Sequence, residues 1–103
     1  TEEDFEPSSK REIIARMLRN LIRSAERELD PKARLRYLDA LLAIDPDDNY
    51  MRAVRAMALY AEGRFARALE DIDQLIEENP DGPEMAPLRE IRDRLIEQVT
   101  EDP

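Results

Sequence analysis

The 103-residue chain carries Asp, Glu, Lys and Arg at 40% of its positions, has a formal net charge of −9, and contains neither cysteine nor histidine. Those absences exclude disulfides, thiol chemistry, histidine proton transfer and ordinary zinc sites, and the negative total argues against nucleic acid, which needs a clustered positive field. Few glycines, few aromatics and abundant Ala, Leu, Arg and Glu predict an all-α fold in one domain with a modest core, and no apolar run approaches the roughly 20 residues of a membrane span.

Residues 1 to 8, Thr-Glu-Glu-Asp-Phe-Glu-Pro-Ser, read as a flexible acidic segment. Ser9 followed by Glu12 has the spacing of a capping box, so a first helix is expected from near Lys10 to about Leu29. Ile13, Ile14, Met17, Leu18, Leu21, Ile22 and Ala25 form a wide apolar stripe on it, with arginines opposite. Asp30-Pro31 closes that helix and opens a second, which continues to about Ile44 through Leu35, Leu38, Leu41 and Leu42.

Asp45-Pro46-Asp47-Asp48-Asn49 is the next break. It resembles the start of a calcium loop, but Tyr50 stands where glycine must turn the chain and Ala56 where the closing glutamate belongs, so the stretch is read as a turn with an aspartate cap. A third helix over about 49–62 and a fourth over about 64–78 are joined at Gly63, a natural left-handed stop, and fold back on one another. Ala56 and Ala68 are the expected close-approach positions, while Glu70, Asp71, Asp73, Glu77 and Glu78 are expected on a solvated face. Two prolines and a glycine in 79–83 end the fourth helix. A fifth, starting between Glu84 and Pro87 and ending near Val99, is expected to turn Leu88, Ile91, Leu95 and Ile96 inward.

Ala56, Leu59, Gly63, Phe65, Ala68, Ile72, Leu75 and Pro80 resemble a tetratricopeptide repeat (TPR), and Pro46 and Pro80 stand 34 residues apart, the period of that family. The resemblance implies repeat one over about 15–48, repeat two over about 49–82, and a capping helix over about 84–99, all within a helical domain of residues 9–100 with a right-handed superhelical twist. Leu29 departs from the family's glycine and Arg34 from its small contact residue; Ala33, through a shifted turn, is expected to take the latter role. A narrower resemblance, carried by Pro7 to Leu21 followed by a TPR hairpin and a last amphipathic helix, is to the C-terminal region of bacterial transglutaminase-like proteins with a TPR tail. It implies an accessory domain without catalysis, since that family's Cys and His are absent.

The TPR resemblance also implies a binding groove on the first helix of each hairpin. Mapped here, it falls on Arg16, Arg19, Asn20 and Arg23 of the first helix and on Tyr50, Ala53, Val54, Met57 and Tyr60 of the third. The arginine stripe suits a carboxylate or acidic peptide, with tyrosines and methionine as apolar anchors. The charge is also polarised: residues 10–36 hold 9 basic and 4 acidic groups, whereas residues 68–103 hold 3 and 12.

The expectation is therefore a non-catalytic protein or peptide interaction module, with no cofactor, metal, nucleic acid or membrane, in the cytoplasm because no signal peptide is visible. The alternative is a structural domain that packs on its own transglutaminase-like core or self-associates weakly. Two hairpins and a helix sit near the lower limit for a solenoid, so an apolar edge on the first or fifth helix is expected to stay exposed.

Overall fold

The computed structural model describes residues 7–83 and 85–101. The expected flexible segment lies outside them as far as residue 6; Pro7 and Ser8 are already helical. Among the described residues there are five helices and no strand: α1 Pro7–Arg27, α2 Pro31–Ile44, α3 Asn49–Ala61, α4 Phe65–Glu78 and α5 Met85–Glu101. They form two compact units, one ending at Asp48 and the other starting at Asn49.

The first unit is a hairpin of α1 packed on α2. Ala15, Ile22 and Ala25 of α1 are buried, as are Ala33, Leu35, Leu38, Leu41 and Leu42 of α2. The capping box does not start α1, because Ser9 lies inside the helix; Pro7 suits a first-turn position, where its missing N–H is not needed. Between the helices the backbone closes with the Asp30 N–H donating to the Ala25 carbonyl at 2.9 Å and the Leu29 N–H to that of Glu26 at 3.2 Å. This crossed pair is the Schellman arrangement, and it requires Leu29 to adopt φ 55°, in the left-handed region. Asp30 then caps α2, its side chain accepting from the Ala33 N–H at 3.1 Å, with Pro31 at the first helical position.

The second unit packs α3 on α4 and α4 on α5. Its turn carries the same bonds: Arg64 N–H to Leu59 carbonyl at 2.9 Å and Gly63 N–H to Tyr60 carbonyl at 3.0 Å, with Gly63 at φ 76°. Ala56 and Ala68 are fully buried, the small residues that let α3 and α4 approach. The first turn is not shifted relative to the second. Arg34 occupies the position corresponding to Ala68 and reaches Glu26 at the surface, while Ala33 beside it is buried.

On α5 the inward face differs from the expectation. Met85 and Leu95 are buried, Leu88 and Ile91 half-buried, and Ile96 points outward at 42% exposure. Leu95 and Ile96 are neighbours on a helix, about 100° apart, and α5 turns its Leu95 side, not its Ile96 side, into the core of the unit. Ile13, Ile14, Met17 and Leu21 of α1 are likewise exposed; the wide stripe has only its Ile22 and Ala25 side in the core.

Candidate functional site

The first unit carries the arginines. Folding α2 back on α1 brings the C-terminal end of α2 and the residues after it beside the N-terminal half of α1. An open hollow of about 620 Å3 forms there, lined by Arg11, Arg16, Arg19, Arg23, Asp45 and Asp47 among others. Helical spacing puts Arg16, Asn20 and Arg23 on one exposed side of α1.

Arg19 does not join that exposed row. Its guanidinium donates to Asp45 at 2.8 Å and to Asp48 at 2.6 Å, an arrangement that ties α1 to the segment following α2. The Asp48 hydrogen bond raises the Arg19 pKa; burial opposes it, and the Asp45 hydrogen bond and the charges of both carboxylates add to the rise. A cation with a raised pKa is stabilised in its charged form, so Arg19 remains a fixed positive charge whose field is already answered by two carboxylates. Arg23 donates to the Asn20 side-chain oxygen. Arg16 and Arg23 meet no carboxylate among the described residues. Of the expected polar set, then, Arg16 and Arg23 are exposed, Asn20 accepts from Arg23, and Arg19 is engaged by Asp45 and Asp48.

The second unit carries the tyrosines and the methionine of the expected groove. Tyr50, Ala53, Met57 and Tyr60 recur along one side of α3, Tyr50 the most open at 74% exposure, Ala53 and Val54 half-buried between them. The Tyr60 ring meets Phe65 edge-on, with centroids 5.4 Å apart and planes at 64°, so its position is fixed by the turn at Gly63.

The same unit holds an ion cluster that sequence reading missed. Asp71 is buried, against the expectation of a solvated face for its stretch of α4. Arg55 grips it with two bonds, Nε at 2.8 Å and an Nη at 2.7 Å, and Arg52 reaches it at 3.4 Å. Two guanidinium groups thus converge on one buried carboxylate. A usable signal was present: Arg52 and Arg55 sit three apart on α3, and Asp71 lies three residues after Ala68 on the packing side of α4. Glu70, Glu77 and Glu78 of the same stretch are exposed as expected.

No group of acidic, histidine or cysteine side chains able to hold a metal ion is found among the described residues. Asp45 instead closes α2, its N–H bonding the Leu41 carbonyl, and shares Arg19 with Asp48. No described helix is long and apolar enough to cross a membrane. No protein-family model and no solved structure matches the chain.

Proposed function

We propose that the chain is a non-catalytic interaction module of the TPR type, which binds an acidic peptide segment of another protein through the exposed side of α1. The observation that carries the reading is the state of the three arginines at the hollow. Arg19 is neutralised by Asp45 and Asp48, whereas Arg16 and Arg23 stand exposed beside it with no carboxylate of their own. Guanidinium groups so placed bind carboxylates with paired hydrogen bonds. Asp45 and Asp47 at the same hollow keep its positive excess small, which favours a peptide with two well-placed carboxylates over any polyanion.

The repeat character is supported by the two hairpins. Their turns, 34 positions apart, carry the same bonds, and α2 and α4 begin and end 34 positions apart. The exposed Tyr50 and Met57 of α3 are a second surface suited to apolar anchors of a peptide.

The test is capture of glutamate- and aspartate-containing peptides from an array by the full chain, compared with the chain carrying Arg16→Glu and Arg23→Glu. Arg19 is left in place, because its loss disturbs the hairpin as well as the surface. Binding lost in the double variant supports the reading; equal binding by both chains overturns it.

A further inference from the structure

The exposed apolar stripe of α1 lies on a different side of the helix from Arg16 and Arg23. Residues Lys10, Ile14, Met17, Leu21, Ser24 and Glu28 follow one another at spacings of four and three, the heptad pattern of a helix seam. Ile14, Met17 and Leu21 are exposed at 49%, 58% and 39%, and Ile13 beside them at 51%. Lys10 and Glu28 at the two ends of the seam are exposed as well. Glu28 continues the helical track beyond Arg27, since its N–H bonds the Ser24 carbonyl at 2.9 Å.

We infer that this seam is a homodimer interface, on which α1 of a second copy lies antiparallel about a two-fold axis. The seam is self-complementary: a cation at one end, an anion at the other, and apolar side chains between them. An isologous contact requires that property of a single patch. In the antiparallel register that pairs heptad positions a and d, Met17 faces Leu21 of the second copy, Ile14 faces Ser24, and Lys10 faces Glu28. Each contact occurs twice. A parallel pairing sets Lys10 against Lys10 and Glu28 against Glu28, and like charges facing one another are unfavourable. A single-helix seam falls below the roughly 1,200 Å2 of stable complexes, so the dimer is a weak, exchanging one, with a dissociation constant between about 1 μM and 1 mM.

Sedimentation equilibrium of the full chain, from low micromolar to about 1 mM, tests the inference. The wild type is expected to be a reversible dimer. Met17→Glu is expected to abolish it, and circular dichroism is expected to show unchanged helicity, because Met17 is 58% exposed and lies outside the buried core. Lys10→Glu alone, or Glu28→Lys alone, sets like charges at both ends and is expected to weaken the dimer about tenfold, while the two together restore it. A wild type that stays monomeric throughout, with the seam then left to a partner of other sequence, overturns the inference. So does association that survives Met17→Glu, or a double charge reversal that fails to restore it.

Discussion

Leu29 and Gly63, 34 positions apart, hold the same left-handed backbone conformation, with φ 55° and 76°, and close the same crossed pair of hydrogen bonds. Glycine adopts this conformation without cost, whereas a leucine Cβ crowds the following carbonyl. The hairpin of the first unit therefore turns at a residue that opposes the turn, and the bonds around it hold it there.

Leu29→Gly should stabilise the first unit by about 1 kcal/mol, because Leu29 is 86% exposed and surrenders no packing. Gly63→Ala should destabilise the second by a similar amount. No atom lies within 4 Å of a Cβ at Gly63, so the whole effect is conformational. Urea denaturation of each variant gives both values.

The caps are distributed the other way round. Asp30 caps α2 with its side chain, while Arg64, in the corresponding place before α4, makes no side-chain cap bond. Its positive charge also faces the positive end of the α4 dipole. Asp30→Ala should cost about 1 kcal/mol, and Arg64→Asp should gain between about 0.5 and 1 kcal/mol, measured the same way.

Asp71 answers two buried or nearly buried guanidinium groups. Asp71→Asn keeps the volume and removes the buried carboxylate charge on which both guanidinium groups converge. A loss of about 3 kcal/mol is expected, with α3 and α4 opening first in hydrogen exchange. A loss below about 1 kcal/mol contradicts the buried placement of this cluster.

Arg19 gives a pH and salt prediction. Its pKa is raised in the folded chain, so the stability it contributes is complete below the ordinary arginine pKa and fades only as pH climbs through the raised value. No alkaline loss from Arg19 is therefore expected between neutrality and about pH 10. Its ion pairs are part-exposed, so Arg19→Ala should cost no more than about 1 kcal/mol at low salt and less at high salt, and Arg16→Ala about nothing.

Much of this fold is legible in the chain because its breaks are chemically explicit. Asp30-Pro31 and Asp45-Pro46 bound α2 at Pro31 and Ile44, and Gly63 and Asn79-Pro80 bound α4 to within a residue. The start of α1 was less legible, because Ser9 and Glu12 satisfy a capping pattern inside a helix that already includes Pro7. The candidate site was legible only as a face. Periodicity places Arg16, Arg19, Asn20 and Arg23 on one helix, but it does not say that Asp45 and Asp48, well beyond the turn, come back to claim Arg19. Asp71 shows the same limit: its burial is set by Arg55 and Arg52 on another helix, and a charge run read along the sequence looks solvated. Ile96 failed for a simpler reason, since an apolar residue at helical spacing is inward only if something lies opposite it.

Peptide binding at α1 is tested most directly by an NMR titration of the 15N-labelled chain with a peptide bearing paired glutamates, followed through the arginine side-chain Nε–H signals. Binding at the exposed side of α1 predicts saturable shifts of Arg16 and Arg23, little change at Arg19, which is already engaged, and loss of the response in the Arg16→Glu, Arg23→Glu chain. Shifts absent at Arg16 and Arg23, or unchanged by that double substitution, contradict the account.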